Sequence, residues 1–280
     1  MSDHILAAVI GQPISHSLSP AIHEAAFRAS GRLGTYEAIE CSQEQVERVV
    51  SELRRQNLVG LSVTMPLKEA VISTLDSVHV DASILNAVNC VSFAGGRAVG
   101  YNTDGDGCCD ALVEQGGAQL HGSTVVVLGA GGTARSISLA LARRGAQVVV
   151  VNRTRDRADD LVSMLRVGLS DNAGSISVGD VSAIARADIL VNATSVGMNS
   201  HEMPVPSDIL HAGLVILDAV YSPLDTALLS VGREVGATVV DGLWMLIQQA
   251  RHQQVLWFGE NPDALPMRNA AEQELERRRK

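Results

Sequence analysis

Thr124-Val-Val-Val-Leu-Gly129-Ala130-Gly131-Gly132-Thr133-Ala134-Arg135 is the stretch that decides the fold of this chain. Its first five residues form an apolar, β-branched run that predicts a buried parallel strand. A glycine turn follows at once, then a helix predicted to reach Arg144 and a second strand over Gln147–Val151. In this strand–turn–helix–strand order, the glycines allow a pyrophosphate to approach the helix N-terminus closely. The pattern G-x-G-G-x-A therefore predicts a Rossmann-type dinucleotide site, and a glycine turn without a ligand is the weaker alternative.

The end of the second predicted strand indicates which dinucleotide is bound. A site for NAD usually has a carboxylate here, which bonds the ribose hydroxyls. This chain instead has Asn152-Arg153-Thr154-Arg155-Asp156-Arg157. Arg153, with Arg155 or Arg157, would attract a 2′-phosphate and bond it bidentately, so NADP is the predicted cofactor. The alternative is a solvated helix start capped by Thr154, which the helix dipole disfavours because positive side chains oppose it there.

Working outward, the same alternation of strands and helices covers most of the chain. Downstream strands are predicted at Ile189–Asn192, Leu214–Asp218 and Thr238–Val240, followed by a long helix. Upstream, the pattern predicts strands at Leu6–Ile10, Tyr36–Glu40 and Gly60–Val63, helices at Pro20–Ala29 and Glu44–Arg55, and a strand pair, Ala87–Phe93 and Ala98–Tyr101, joined by the Gly95-Gly96 turn. The fold class is therefore α/β, with a mixed sheet in the N-terminal part.

Length and composition narrow the range of partners. A chain of 280 residues is long enough for two domains. The net charge of -9 argues against nucleic acid as the main partner, and no apolar run is long enough to span a bilayer. The first ten residues predict a strand and not a signal peptide. The four cysteines match neither a zinc pattern nor a disulfide framework, so we predict reduced thiols, no metal and a cytoplasmic location.

Lys68 is the first candidate for chemistry. The chain has 22 Lys and Arg residues, and only Lys68 and Lys280 among them are Lys. Arginine stays protonated, whereas a lysine ammonium can give up and regain a proton. Lys68 is therefore a candidate general acid and base. The alternative, a solvated lysine kept by chance, has about equal weight on the count alone.

Other polar residues near predicted strand ends have two interpretations each. Ser17 and Ser19 could bind an anion near a helix end, although Ser19 before Pro20 is better explained as a helix N-cap. Asp104 lies in a turn-forming segment and could cap a helix, or it could hold Lys68. Gln249 could be an ordinary amide on the long helix. The charged tail from Glu272 to Lys280 is predicted to be frayed and solvated.

Taken together and in order, the motifs closely resemble those of shikimate dehydrogenases, from about Val9 to Gly259. The matching stretches are His16-Ser-Leu-Ser-Pro20, Val63-Thr-Met-Pro-Leu-Lys68, Ala87-Val-Asn89, Asn102-Thr-Asp-Gly105, the glycine turn, Asn152-Arg-Thr154, Asn192-Ala-Thr-Ser195 with Gly197-Met198, Asp218 through Tyr221 with Pro223 and Thr226, and Gly242 with Met245-Leu246 and Gln249. The resemblance implies a substrate domain, residues 1–103 plus 243–280, an inserted Rossmann NADP domain, residues 104–242, and a cleft between them.

The resemblance also implies roles for individual residues. The substrate would be bound by Ser17, Ser19, Thr64, Lys68, Asn89, Asp104, Tyr221 and Gln249, the two serines holding its carboxylate. The cofactor would be bound by Gly129, Ala130, Gly131, Gly132, Thr133, Ala134, Asn152, Arg153, Thr154, Arg157, Thr194, Gly242 and Met245. Lys68 and Asp104 would form the acid–base pair in the reversible, NADPH-dependent reduction of 3-dehydroshikimate to shikimate, a step towards chorismate and the aromatic amino acids. Domain closure would exclude water.

The chain departs from the family pattern at several positions. Ser62 replaces an Asn, Asn86 a Gly, Cys90 a Thr, Glu24 an Asn and Gln254 a Phe. These changes leave open a quinate/shikimate or aminoshikimate dehydrogenase, or a non-catalytic NADP-binding regulator. The resemblance is compatible with a monomer or a homodimer.

Overall fold

The computed structural model describes residues 5–169 and 173–279 as alternating strands and helices. The strands are β1 (Ile5–Gly11), β2 (Thr35–Glu40), β3 (Gly60–Val63), β4 (Ser77–Val78), β5 (Cys90–Ser92), β6 (Val99–Tyr101), β7 (Thr124–Leu128), β8 (Gln147–Val151), β9 (Ser175–Val178), β10 (Ile189–Asn192), β11 (Val215–Asp218) and β12 (Thr238–Val240). The helices are α1 (Ser19–Ala29), α2 (Val46–Arg55), α3 (Val80–Leu85), α4 (Asp104–Glu114), α5 (Gly132–Arg143), α6 (Arg155–Arg166), α7 (Ala227–Glu234), α8 (Gly242–Phe258) and α9 (Ala264–Arg279). None of the described helices is long and apolar enough to cross a membrane.

The chain divides into two compact units. One contains Met1–Thr103 and Gln249–Lys280, and the other contains Asp104–Gln248, so that α8 contributes residues to both. Each unit has its own six-stranded sheet. The mixed α/β class predicted from the sequence is therefore confirmed.

The sheet of the second unit is fully parallel. Its strand order is β12-β11-β10-β7-β8-β9. The central strands are runs of valine, leucine and isoleucine because both faces of a parallel sheet are covered by helices. From β7 the chain first proceeds outward on one side, to β8 and β9, and then returns to β10 on the other. The carboxyl ends of β7 and β10 thus flank the point at which strand order reverses, where ligands bind in open α/β sheets.

The sheet of the first unit is mixed, with the order β2-β1-β3-β5-β6-β4. Strands β1, β2 and β3 are parallel, while β5 runs antiparallel to both β3 and β6. The β5–β6 connection contains Gly95 and Gly96, with φ values of 64° and 75°, which confirms the predicted glycine turn. The same edge of this sheet therefore carries the carboxyl ends of β1, β3 and β6 and the amino end of β5.

Asn86 keeps the backbone geometry for which the family usually has glycine. It ends α3 in the left-handed conformation, with φ 47° and ψ 42°. Asparagine is the residue that adopts this conformation most readily after glycine. The departure at this position therefore preserves the turn that leads to Asn89.

Candidate active site

The loops that follow β1 and β3 are joined by main-chain hydrogen bonds. The amide of Thr64 donates to the carbonyl of Ile10 at 2.9 Å, and the amide of Gln12 donates to the carbonyl of Met65 at 3.0 Å. These bonds place the loop with Ser17 and Ser19 beside the segment from Thr64 to Lys68. Thr64 and Lys68 are half-buried.

Asn89 lies at the same edge, immediately before β5. Its carbonyl accepts from the amide of Val63 at 2.9 Å, and its amide donates to the carbonyl of Tyr101 at 3.0 Å. Its side-chain oxygen accepts from the amide of Thr103 at 2.8 Å, and its Nδ2 donates to the Thr103 hydroxyl at 3.0 Å. The side chain of Asn89 is thereby held at the carboxyl ends of β3 and β6.

Gln249 joins this cluster from helix α8. Its Oε1 lies 3.4 Å from Asn89 Nδ2, 3.4 Å from the Thr103 hydroxyl and 2.8 Å from Gln253 Nε2. Only 8% of its surface is exposed. The structure thus brings together Asn89 and Gln249, which are 160 residues apart in the chain. The interpretation of Gln249 as an ordinary surface amide is wrong.

A buried tyrosine lies behind the cluster. The hydroxyl of Tyr36 donates to Ser62 Oγ at 2.6 Å, and Ser62 Oγ donates to Gln253 Oε1 at 2.5 Å. Burial raises the pKa of Tyr36, although the hydrogen bond to Ser62 opposes that shift. Tyr36 therefore remains a protonated donor.

His23 stacks on Tyr36, with ring centroids 4.5 Å apart and an interplanar angle of 4°. Gln254 Nε2 lies 2.8 Å from His23 Nδ1. Burial lowers the pKa of His23 to about 3, so the ring is neutral at physiological pH. Glu24 Oε1 accepts from the amide of Tyr36 at 3.3 Å. Three departures from the family pattern, Ser62, Glu24 and Gln254, thus contact the His23–Tyr36 pair.

Ser19 is not the N-cap of α1. The helix begins at Ser19 itself, its N-cap residue is Leu18, and no side chain makes a capping bond. The Ser17 hydroxyl accepts from the amide of Ser19 at 3.2 Å. The N-cap interpretation of Ser19 is therefore wrong, because the loop turns into the helix one residue earlier than predicted. Both serines are half-buried.

The charged C-terminal tail is ordered and holds this loop. Helix α9 continues through Arg279, and Lys280 lies outside the described residues. Arg278 donates from Nη1 to the carbonyl of His16 at 2.7 Å and from Nη2 to the carbonyl of Ser17 at 3.0 Å. Hydrogen bonds from Arg277 and Arg278 lower the pKa of Glu274 to about 2. The prediction of a frayed, solvated tail was wrong because its basic residues find partners beyond the local sequence.

The other predicted catalytic residue, Asp104, directly follows Thr103 and begins α4. It is 9% exposed. The next residue, Gly105, donates its amide to the Ser136 hydroxyl at 2.8 Å and thereby ties α4 to α5. The pairing of Asp104 with Lys68 stays a prediction.

The predicted cofactor loop joins β7 to α5. Gly129 has φ 110°, and a Cβ at this position would lie 3.1 Å from the carbonyl oxygen of Ala193, so this position favours glycine. Gly131 and Gly132 are exposed, and a Cβ on either would meet no protein atom within 4 Å. Protein packing therefore does not demand glycine there, whereas close approach of a phosphate would. The N-terminus of α5 has neither a side-chain cap nor an acidic residue in its first turn. The loop therefore fits a dinucleotide phosphate.

The residues after β8 fit a 2′-phosphate. Arg153 and Arg157 are exposed. Arg155 instead lies 3.8 Å from Asp159, so its charge has a partner. Thr154 is the N-cap residue of α6 but makes no side-chain capping bond. The alternative interpretation, in which the Thr154 side chain caps this helix, is therefore wrong. Asn152 Nδ2 donates to the carbonyl of Thr154 at 2.8 Å and fixes this turn.

Two more loops follow β10 and β11 at this edge. Thr194 donates its hydroxyl to Asn192 Oδ1 at 2.7 Å, and Asn192 Nδ2 donates to Asp218 Oδ1 at 2.9 Å. Asp218 Oδ2 accepts from the Thr226 hydroxyl at 2.7 Å, and burial raises the pKa of Asp218. This buried network fixes the loop that carries Tyr221, which is half-buried.

Gly242 and Met245 open helix α8. A Cβ at Gly242 would lie 2.6 Å from the backbone of Ala219, so glycine is required there by the close approach of the β11 loop. Met245 is buried, with 7% of its surface exposed.

The remaining predicted residues of the glycine turn are distributed as expected for a phosphate turn, with Ala134 buried and Ala130 and Thr133 half-buried. In the described ranges, no group of three or more His, Cys, Asp and Glu side chains could hold a metal ion.

The sequence did not reveal the parts played by Tyr36, Thr103, Gln253 and Arg278. One local signal was present, because Gln249 and Gln253 are four residues apart and therefore share a helix face. The contacts of Tyr36 and Arg278 have no such signal. They join residues that only the fold brings together.

Three family models match the chain. They are the shikimate dehydrogenase substrate-binding domain over residues 9–91, the shikimate/quinate 5-dehydrogenase over residues 111–202 and the shikimate 5′-dehydrogenase C-terminal domain over residues 242–272. Their order along the chain agrees with that of the motifs.

Similar chains are found among named shikimate dehydrogenases and among solved structures. The chain is 42% identical over 267 residues to the NADP(+) shikimate dehydrogenase of Thermococcus kodakarensis, covering 95% of each protein. It is 37% identical, with a TM-score of 0.88, to the Thermus thermophilus shikimate 5-dehydrogenase solved with NADP(H) and shikimate, covering 96% of this chain and 99% of that one. It is 28% identical, with a TM-score of 0.91, to the ligand-free 5-ketofructose reductase of Gluconobacter sp. strain CHM43, covering 98% and 100%.

Proposed function

The chain belongs to the shikimate dehydrogenase family, and from that premise we propose that it catalyses the reversible NADPH-dependent reduction of 3-dehydroshikimate to shikimate. The reaction is an oxidation or reduction at a CH–OH carbon. We place it in the cytoplasm and on the route to chorismate and the aromatic amino acids, as the family resemblance implies.

The observation that carries the proposal is the convergence of polar groups at one edge of the first unit's sheet. Ser17 and Ser19 follow β1, Thr64 follows β3, and Asn89 precedes β5, with Gln249 bonded to Asn89. Hydroxyls and amides suit a small acid with several hydroxyl groups, because each can bond an oxygen of the ligand without adding charge. We assign Ser17 and Ser19 to the substrate carboxylate and Thr64, Asn89 and Gln249 to its hydroxyls.

Lys68 is the proposed proton carrier. When bound, NADPH supplies the hydride that reduces the carbonyl carbon at C3. As negative charge develops on the carbonyl oxygen, the Lys68 ammonium donates a proton to that oxygen, which becomes the hydroxyl of shikimate. In the reverse direction Lys68 removes this proton. Asp104 accepts a hydrogen bond from a substrate hydroxyl, and Tyr221 lines the site.

The residues proposed to hold the cofactor follow the carboxyl ends of β7, β8 and β10. The glycine turn from Gly129 to Ala134 would receive the pyrophosphate at the N-terminus of α5. Arg153 and Arg157, with Asn152 and Thr154, would surround the 2′-phosphate. Thr194, Gly242 and Met245 are assigned to the nicotinamide side.

A second candidate is a dehydrogenase that prefers quinate. It is favoured by Ser62, which stands where the family usually has Asn and which hydrogen-bonds into the Gln253–Gln249 chain. A changed amide network beside the hydroxyl-binding residues is the place where a different cyclitol acid would be accommodated.

The test is a set of initial rates on purified protein, with shikimate and quinate each paired with NADP and NAD. We expect turnover mainly with shikimate and NADP.

Lys68→Met should lower kcat by about 10² to 10⁴ while NADP(H) binding, measured by fluorescence, is retained. Lys68→Arg keeps the positive charge but cannot release a proton, so it should be as inactive as Lys68→Met. Activity in Lys68→Arg near that of the wild type would refute the proton-transfer role. A failure of all cyclitol acids, with tight NADPH binding, would support the regulator instead.

A further inference from the structure

A series of hydrogen-bonded, buried side chains includes two of the proposed hydroxyl-binding residues, Asn89 and Gln249. It contains Tyr36, Ser62, Gln253, Gln249 and Asn89, all of them less than 9% exposed. Buried polar groups are expensive unless they are hydrogen-bonded, so such a chain is stable only when every donor faces an acceptor. The direction of each hydrogen bond is therefore a property of the fold.

Two main-chain groups fix that direction, because each can act in only one way. The carbonyl of Asn89 can only accept, and Gln253 Nε2 lies 3.3 Å from it. The amide of Thr103 can only donate, and Asn89 Oδ1 lies 2.8 Å from it. The first contact assigns the nitrogen of Gln253, and the second assigns the oxygen of Asn89.

These assignments determine how Gln249 is oriented. Gln253 Nε2 and Asn89 Nδ2 both point to the same atom of Gln249, at 2.8 Å and 3.4 Å. Since both neighbours are donors, that atom must be the amide oxygen. The Nε2 hydrogens of Gln249 are therefore the group through which it would bond a substrate oxygen, as a donor. A substrate oxygen that accepts a hydrogen bond satisfies this group, whereas a ligand group that can only donate does not.

At the other end of this series of hydrogen bonds, Ser62 and Tyr36 fix the orientation of the Gln253 amide. Its Oε1 accepts from Ser62 Oγ at 2.5 Å, and Ser62 in turn accepts from the Tyr36 hydroxyl at 2.6 Å. One continuous series of hydrogen bonds thus runs from Tyr36 through Ser62 and Gln253 to Gln249, which is assigned to a substrate hydroxyl.

We propose that Gln253 is a positioning residue that holds Gln249 as a hydrogen-bond donor towards the substrate, and that Ser62 and Tyr36 lock Gln253 in the required orientation. The inference rests on the proposed function, because it takes Gln249 as a substrate-binding residue. Ser62 and Gln253 act as a pair in this view. Ser62 accepts from the Tyr36 hydroxyl and donates to Gln253 Oε1, and this second hydrogen bond sets the direction of the Gln253 amide.

Gln253→Met is the variant that tests this role. Methionine has a similar length and fills the space, but it neither donates to Gln249 nor accepts from Ser62. The chain offers a matched control in Gln254→Met, since Gln254 is the next residue of α8, is also buried, and bonds His23 instead. We expect Gln253→Met to raise the KM for shikimate about fivefold to tenfold, the loss of one hydrogen bond, and to leave the KM for NADP unchanged. Gln254→Met should change neither KM, whatever its effect on the melting temperature.

A double-variant cycle separates positioning from packing. Because Gln253 acts through Gln249, the double variant Gln249→Ala/Gln253→Met should have the same KM for shikimate as Gln249→Ala alone. Independent, multiplied effects would overturn the proposal, and so would an unchanged KM in Gln253→Met or an equal rise in Gln254→Met. Failure of the proposed function is distinguishable, because it is seen in the wild-type protein as an absence of shikimate oxidation. That outcome would remove both the function and this inference, whereas the variant outcomes concern Gln253 alone.

Discussion

Substitution of His23 should change how the stability of the protein depends on pH. His23 is fully buried against Tyr36 and Trp257, and its pKa is lowered from 6.5 to about 3. Below pH 6.5 the unfolded chain binds a proton at this position that the folded protein does not accept. The free energy of unfolding must therefore fall as the pH falls from about 6.5 towards 3.

The size of the effect follows from the two pKa values. Between pH 7 and pH 5 the folded protein gains almost no proton at His23, whereas the unfolded chain becomes almost fully protonated there. The resulting loss of unfolding free energy is about 2 kcal/mol. His23→Gln keeps a hydrogen-bonding side chain but does not titrate, so its unfolding free energy should fall by about 2 kcal/mol less over the same interval. Any constant cost of the substitution cancels in this comparison.

Urea unfolding at pH 7, 6 and 5 measures the effect, in a Trp244→Phe background. The fluorescence of Trp257, whose ring centroid lies 5.0 Å from that of His23, then reports on this unit alone. His201→Gln serves as the control, because His201 is exposed to solvent and its substitution should leave the pH dependence of the parent protein unchanged. An identical loss of unfolding free energy in His23→Gln and its parent would refute the reasoning.

Two further predictions concern ligand binding. Arg278→Ala removes two hydrogen bonds to the carbonyls before and within the serine loop, so the KM for shikimate should rise about fivefold to tenfold with the KM for NADP unchanged. Steady-state kinetics measures the two KM values. Arg277→Ala is the control, because Arg277 also bonds Glu274. Equal effects in the two variants would contradict the prediction. Arg153→Ser should raise the KM for NADP about tenfold or more, by loss of a charged hydrogen bond, without changing that for NAD. Arg155→Ser should have a smaller effect because Arg155 is paired with Asp159, and an equal effect would contradict the assignment.

The sequence was sufficient to predict the parallel sheet around the glycine turn. The strands at Gln147–Val151 and Ile189–Asn192 have the predicted bounds, since continuous β-branched runs are a local signal. The short strands β4 and β9 were missed. Their stability comes from pairing with β6 and β8, and their own sequence carries little periodicity.

The candidate site was predicted in part, and that prediction came from motif resemblance and not from local periodicity. Motif resemblance selected Ser17, Asn89 and Gln249, and the fold places the loops that carry them at one sheet edge, but their roles and the pairing of Lys68 with Asp104 remain predictions. Local preference misjudged Ser19, because Ser before Pro is a common helix start, whereas here the helix begins one residue earlier. The tail was misjudged because a run of arginines gives no information about the carbonyls it will meet.

The amino-acid sequence by itself determined the α/β class, the glycine turn at a helix N-terminus and the basic residues after the second strand. These features depend on residues that are near neighbours in the chain, so their periodicity and order are visible without a structure. Only the tertiary structure decided that Ser62 bonds Gln253, 191 residues away, and that Arg278 holds the carbonyl of Ser17, 261 residues away. Hydrogen bonds of this kind form only when the fold brings two distant segments into contact, and nothing in either local sequence specifies which partner that will be.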